Sequence, residues 1–252
     1  MFTIVNLISS LPNEAYGFGL AAFGQKIYFV PNDEGQGQIT STDVFDLDNP
    51  NAGWVTHAQM NYRRSQVQLI VCEDLIYALG GFVSNFTRFY LANCISTNFF
   101  FLQENGGYTS TVEVFDPQTE IWTEVDSMSQ ARCNPGAAVA NGKIYVVGGL
   151  GDNLLGPPGA LKTAEFYDPV TDSWTLLPEM YFPRHSPAVV VKNNKLYVFG
   201  GGSPSPLLRP GPERTIEVFD FNNHEWFVYP EKIPGRSNAI YVGAFFNDLE
   251  IE

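Results

Sequence analysis

Apolar residues in this chain come in short runs closed by glycine, proline, asparagine or aspartate, and none follows the 3.6-residue period of an amphipathic helix. The pattern is clearest between Arg132 and Trp174. There Gly136-Ala-Ala-Val-Ala140 and Ile144-Tyr-Val-Val147 flank Asn141-Gly142, a dipeptide that accepts the positive φ angles of a type I′ turn and so predicts a hairpin. The second run ends at Gly148-Gly149, and a Gly/Pro-rich loop follows. Next come Thr163-Ala-Glu-Phe-Tyr-Asp168, a turn started by the fixed φ of Pro169, and Trp174-Thr175. Together these runs predict four strands in a unit of about fifty residues.

The unit recurs. Arg64 to Gly80, Arg132 to Gly148 and Arg184 to Gly200 are each sixteen residues apart. All four tryptophans, Trp54, Trp122, Trp174 and Trp226, stand ten residues before an arginine, namely Arg64, Arg132, Arg184 and Arg236. The pairs Phe115-Asp116, Tyr167-Asp168 and Phe219-Asp220 precede their tryptophans by seven and six residues, and Phe45-Asp46 stands two residues farther from Trp54. Unit one is degenerate: Ala15 occupies the arginine position and Pro31-Asn32 the double-glycine position.

A double glycine (Gly80-Gly81, Gly148-Gly149, Gly200-Gly201), an aromatic–Asp pair and a tryptophan at this period resemble the kelch repeat over nearly the whole chain. The resemblance implies an all-β fold, a kelch β-propeller with four complete four-stranded blades and an incomplete fifth formed from the two termini. The alternative is a piece of a six-bladed propeller. In either case residues 1–252 form one domain, with repeats at about 12–60, 61–128, 129–180 and 181–232, a partial one at 233–252, and a strand at 1–10 that closes the last blade. A single repeat cannot bury both faces of its sheet, so the tryptophans and their Phe/Tyr partners are expected to pack between blades, with each indole N–H keeping a partner. The glycines are expected to turn the backbone tightly where the second strand ends.

Unit two is longer than the rest. Gly80 to Trp122 spans forty-two residues against twenty-six in units three and four, and the excess is residues 83–103. Three readings of that segment stay open. It is a recognition loop, or a disordered insertion, although its aromatic and aliphatic content argues against simple disorder, or a retained intron. For the last, Val83-Ser84 fits a GTAAGT start and Phe99 to Gln103 a pyrimidine tract ending in CAG. The Pro-rich loops from Leu150 to Leu161 and Ser203 to Pro212 are expected to be irregular and to form the variable edge of the disc.

Charge narrows the partners. At −13, with only fourteen Lys and Arg, the chain repels nucleic acid and anionic membrane, so protein partners are expected and neither of those two. Three cysteines, Cys72, Cys94 and Cys133, make no paired framework and read as free thiols. No run of eighteen apolar residues predicts a spanning helix, and residues 1–11 lack the basic residue of a signal peptide, so a cytoplasmic monomer is expected. In that setting the sequon at Asn85-Phe-Thr87 carries no glycan.

Little in the sequence points to catalysis, and no metal or cofactor is expected. His57, His185 and His224 fall by repeat phase on a fourth strand, at the start of a first strand and in a turn, which do not converge. The copper-radical oxidases, which share kelch-like propellers, need a Cys-linked Tyr and paired His ligands, and no such motif is present. Asp116, Asp168 and Asp220 share one phase beside a turn, where Asp caps its own backbone; a structural role is expected of each. The recurring arginines are likewise expected to support blades. In related kelch domains partner contacts come from the residues just after this arginine. By position the resemblance implies Tyr16 and Gly17, Ser65 and Gln66, Cys133 and Asn134, His185 and Ser186, and Ser237 and Asn238. That ring is polar and uncharged, unlike the arginine-rich rings that take acidic peptides. The resemblance thus implies a non-catalytic protein-interaction module, as in substrate adaptors of cullin-type ubiquitin ligases, whose BTB domain is not in this sequence. The alternatives are a sugar-processing enzyme like the exported kelch sialic-acid mutarotases, and a non-functional gene-model fragment.

Overall fold

A computed structural model describes residues 18–31, 41–83, 107–153, 156–202, 214–230 and 233. The strand expected at 1–10, the insertion beyond Val83, the loop at 203–212, Cys94, Arg236 and most of the partial fifth repeat lie outside the described residues. Four four-stranded antiparallel sheets follow the four units. Blade 1 is β1 (Gly19–Phe23), β2 (Lys26–Val30), β3 (Ser41–Asp46) and β4 (Trp54–Gln59). Blade 2 begins with β5 (Gln68–Cys72) and β6 (Leu75–Leu79); a short ribbon of β7 (Phe82–Val83) and β8 (Gly107–Tyr108) precedes β9 (Val112–Asp116) and β10 (Ile121–Val125). Blade 3 has β11 (Gly136–Ala140) and β12 (Lys143–Val147), a second ribbon of β13 (Leu150–Asn153) and β14 (Gly156–Ala160), then β15 (Ala164–Asp168) and β16 (Ser173–Leu176). Blade 4 is β17 (Ala188–Lys192), β18 (Lys195–Phe199), β19 (Ile216–Asp220) and β20 (Glu225–Val228). A 3-10 turn spans Pro50–Ala52, and among the described residues no helix is long and apolar enough to cross a membrane.

The expected turns form for the expected reason. Asn141 and Gly142 have φ of 52° and 70°, and Glu73-Asp74 and Asn193-Asn194 take the same left-handed pair, so three first hairpins close with type I′ geometry. The second hairpins are capped by aspartate: the Oδ1 of Asp46, Asp116, Asp168 and Asp220 accepts the backbone N–H two residues on, at 2.8–3.0 Å. The two extra residues of unit one are absorbed in the 3-10 turn, so Phe45 still pairs with Trp54, as Phe115 does with Trp122, Tyr167 with Trp174 and Phe219 with Trp226.

The loop from Leu150 to Leu161 departs from expectation, for it is not irregular but forms the β13–β14 ribbon. Leu150 pairs with Ala160 and Gly151 with Gly159, and a register shift before Asn153 takes up the irregularity around Pro157 and Pro158. A two-stranded ribbon has only edges, and a proline there can turn its missing donor away from the ladder.

The core lies between blades. Innermost strand packs beside innermost strand in the series β1, β5, β11, β17. The blade 1–2 interface holds Ala21, Tyr28, Val30 and Val44 against Leu69, Ile76, Ala78, Phe115 and Trp122. The blade 2–3 and 3–4 interfaces repeat the scheme with Tyr77 and Tyr145 on one side and Tyr167 and Phe219 on the other. Indole N–H groups cross these seams: Trp122 donates to Thr42 Oγ1 at 3.1 Å, Trp174 to the Asp126 carbonyl at 2.8 Å and Trp226 to that of Pro178 at 2.7 Å.

The double glycine is the tightest point of each seam. Gly80 and Gly148 have φ near 60°, and a Cβ on either would lie 2.2 Å from the backbone carbonyl oxygen of Arg132 or Arg184 in the next blade. Gly148→Ala is therefore expected to cost more than about 2 kcal/mol, since it adds a clash with fixed backbone to an unfavourable φ. Gly24→Ala, at a similar φ but facing open space, should cost about 1 kcal/mol. Denaturant unfolding of both variants checks this; equal losses would contradict it.

Candidate functional site

Antiparallel strands put the loops into two sets. One end carries the tight hairpin turns, and the other carries the double glycines, the two ribbons and the chain segments that enter each blade. Those entering segments are held by the recurring arginine. Arg64, Arg132 and Arg184 are almost wholly buried, Arg132 and Arg184 at 0% exposure. Each meets a third-strand glutamate: Arg64 Nη2 lies 2.7 Å from Glu113, Arg132 Nη2 2.7 Å from Glu165 and Arg184 Nη2 2.6 Å from Glu217. Each Nη1 donates to the carbonyl of the first glycine of its own blade, Gly80, Gly148 or Gly200. The glutamates complete the cage by accepting backbone N–H groups of the entering segment, from Asn61 and Tyr62, from Ser129, and from Tyr181 and Phe182.

The arginines thus have the supporting role expected of them. Their acidic partners were legible, for a glutamate stands two residues before the aromatic of Phe115-Asp116, Tyr167-Asp168 and Phe219-Asp220, but only adjacency in space discloses the pairing. A buried methionine, Met60, Met128 or Met180, stands four residues before each arginine and fills the space under the segment. Where Ala15 stands in place of arginine, the third strand carries Asp43, whose carboxylate accepts from Thr56 Oγ1 at 2.7 Å instead.

Immediately after each arginine the chain reaches the candidate ring. Ser65, Cys133 and His185 form single antiparallel bridges to Phe82, Leu150 and Gly202, and the next residues, Gln66, Asn134 and Ser186, are left-handed with φ of 54°, 47° and 53°. That conformation turns their backbones toward one another. Asn134 N–H donates to the Gln66 carbonyl at 3.0 Å and Ser186 N–H to the Asn134 carbonyl at 2.8 Å, so a chain of hydrogen bonds crosses three blades. Asn134 Nδ2 also donates to Gln66 Oε1 at 2.8 Å.

The structure therefore gathers six of the proposed residues at one end. Five of them, Ser65, Gln66, Asn134, His185 and Ser186, are half-buried. Cys133 is not at the surface: it is 1% exposed, its thiol lies 3.1 Å from Gln66 Oε1, and burial pushes that thiol up to about 12. It supports Gln66 from beneath. Tyr16, Gly17, Ser237 and Asn238 lie outside the described residues. His185 has its pKa lowered by burial, which keeps the imidazole neutral, so the gathered side chains carry no charge at pH 7.

His57 lies in β4, His224 in the β19–β20 turn and His185 beside β17, three separate places as the repeat phase predicts. Among the described residues no three His, Cys, Asp or Glu side chains group as metal ligands. Cys72, like Cys133, is a buried free thiol.

The sequence and fold have matches among known proteins. The family model described as the kelch motif matches residues 102–129, 131–181 and 183–232, just over half of the chain. The chain belongs to the kelch-repeat family. It is 29% identical over 191 residues to alpha-scruin of Limulus polyphemus, a match covering 74% of this chain and 18% of that protein. It is 25% identical over 246 residues to kelch-like protein 40 of Xenopus tropicalis, covering 96% of this chain and 36% of that protein. The chain thus spans well under half the length of these kelch relatives. A solved structure titled "Structure of YjhT" superposes with a TM-score of 0.65 at 17% identity, over 91% of this chain and 71% of that one. It places the kelch sheets in the β-propeller fold.

Two expectations follow from the clamp and the caps. Replacing one partner of a buried pair strands the other, so Glu165→Met or Arg132→Met is expected to lose about 3–5 kcal/mol, and the double variant Arg132→Met/Glu165→Met to recover part of that loss. Urea unfolding of the three variants measures the coupling, and additive losses would refute it. The Asp168 carboxyl is held below its ordinary value by its bond to Lys143 and by the Val170 N–H. A carboxylate with a depressed folded pKa stabilises above its unfolded value and loses that contribution as pH falls through the folded one. Asp168→Asn is therefore expected to flatten the acid limb of stability below about pH 4, read from thermal melts between neutral and acid pH; an unchanged limb would show the cap is idle.

Proposed function

We propose that this chain is a non-catalytic protein-interaction module and that a protein partner docks on the end bearing Ser65, Gln66, Asn134, His185 and Ser186. The observation that carries this reading is the gathering of those half-buried, neutral hydrogen-bonding groups onto a rigid backbone chain across three blades. Sites on such rigid supports lose little entropy on binding. A ring without charge suits an uncharged polar or mixed segment and gives no electrostatic attraction to an acidic peptide. The kelch-like relatives are in keeping with an interaction role. Within that role we infer the recognition half of a cullin-type ubiquitin ligase adaptor, acting in the cytoplasm as a monomer. That inference leans on likeness to the family rather than on chemistry visible here. The net charge of −13 disfavours nucleic acid and anionic membrane as partners.

The test is affinity capture from the source cells with quantitative mass spectrometry. In the double variant Gln66→Glu/Ser186→Asp the first change is isosteric, the second tolerates the left-handed backbone, and both charge the ring. That variant is expected to lower capture of a specific partner at least tenfold, whereas Val170→Glu, 87% exposed on the opposite end, should leave capture unchanged. Equal capture by all three proteins, or turnover of a free sugar by the wild type, would sink the reading.

A further inference from the structure

The two ribbons differ in what they present beside the candidate ring. Each is bridged to the residue after an arginine, Phe82 to Ser65 and Leu150 to Cys133, and in blade 4 Gly202 is bridged to His185 at the same place. Across the ribbon, Tyr108 stands opposite Phe82 and Ala160 opposite Leu150. Aliphatic residues or a glycine therefore satisfy the fold at these positions, yet blade 2 carries an aromatic pair. Its rings meet edge to face, with centroids 5.7 Å apart and planes at 76°. Such a contact engages one face of one ring. Both residues are only half-buried, so aromatic surface stays open beside Ser65.

Blade 3 brings a charge to this pair. β8 lies beside β13, and Asp152 in β13 is exposed, its carbonyl accepting from Gln130 Nε2 at 3.2 Å. Gln130 is held in turn by Thr163, whose hydroxyl donates to Oε1 at 2.6 Å, so the Asp152 backbone has a fixed place. The Tyr108 phenol registers these neighbours. Burial pushes it up, the Cys133 thiol and the Asp152 carboxylate push it further, and among the described residues no lysine or arginine offsets them. The buried guanidinium groups of Arg64 and Arg132 are already neutralised by Glu113 and Glu165. An open ring face and a nearby carboxylate both present negative potential, and together they attract a positive charge.

We propose that the Phe82–Tyr108 pair and Asp152 form a subsite for one basic side chain, arginine or lysine, of the protein segment that docks on the ring. The proposal rests on the partner-docking reading and adds a specificity to it. The neutral ring takes polar groups of the segment by hydrogen bonding, and the two ribbons select a cation next to them. Tyr108 offers the ring face, Asp152 the counter-charge, and Phe82 sets the tilt of Tyr108 through the edge-to-face contact. An acidic residue at that point is disfavoured, since it would meet Asp152 with no cation between them.

Panning a fully randomised phage-displayed peptide library against the whole chain tests it, followed by fluorescence anisotropy with the enriched peptides. Those peptides are expected to share one arginine or lysine. Tyr108→Leu is expected to weaken them about fivefold and Tyr108→Phe to leave them unchanged, because phenylalanine keeps the ring face. Asp152→Asn, an exposed change that leaves the Gln130 bond to the backbone in place, is expected to weaken them about threefold at low salt, a difference that closes near 1 M salt. Panning on Asp152→Lys is expected to exchange the basic position for an acidic one. Peptides that lose affinity with the uncharged ring variant Gln66→Leu/Ser186→Ala, yet carry no basic position or bind Asp152→Asn and Tyr108→Leu unchanged, would overturn the proposal and leave the docking reading standing. No enriched peptide, or peptides indifferent to the ring variant, would overturn both.

Discussion

The buried arginine–glutamate pair is the constraint on which each described blade after the first depends. An ionised guanidinium out of water is tolerable only when its donors are met, and here they are met by a glutamate and by the carbonyl of the first glycine. Those acceptors belong to different strands of one sheet, so satisfying the arginine fixes the entering segment against the second and third strands together. The glutamate, in turn, accepts backbone N–H groups from that segment, which would otherwise be buried without partners. A charge pair of this kind adds little net stability over a well-packed apolar substitute, but removing one partner alone is strongly destabilising.

Close approach of backbones follows from the same arrangement. The second glycine donates across the seam to the carbonyl of the next arginine, Gly81 to Arg132 at 2.8 Å and Gly149 to Arg184 at 2.9 Å. One residue thereby serves two blades: its guanidinium organises its own sheet, and its carbonyl receives the previous one. No side chain fits between, which is why the position after the second strand holds glycine in blades 2 and 3. With the aromatic seam on the outer side and this backbone contact on the inner side, successive sheets are held at two separated points and cannot rotate against each other. The left-handed residues Gln66, Asn134 and Ser186 come next in the chain, so the candidate ring inherits its order from the clamp beneath it.

Much of this was legible without coordinates. Asn141-Gly142, Asp168-Pro169 and the spacing of the four tryptophans specify hairpins and their repetition through local backbone preference, which needs no knowledge of neighbours. The supporting role of the arginines and the capping role of the aspartates could be read for the same reason, since both recur in phase with the fold. The ribbon at Leu150–Ala160 was not legible, because prolines and glycines there mask a pairing anchored from outside by the Cys133–Leu150 bridge.

The amino-acid sequence by itself determined the strands, their turns and the repeat, because those depend on residues near one another along the chain, whereas the candidate ring just after each arginine rests on the resemblance to kelch domains. Only the tertiary structure decided which carboxylate neutralises each arginine, that Cys133 lies beneath the ring rather than on it, and that Gln66, Asn134 and Ser186 share one hydrogen-bonded path. Those outcomes depend on burial and on contacts across dozens of residues of sequence, and repeat phase carries no information about which side chain a neighbouring blade will cover.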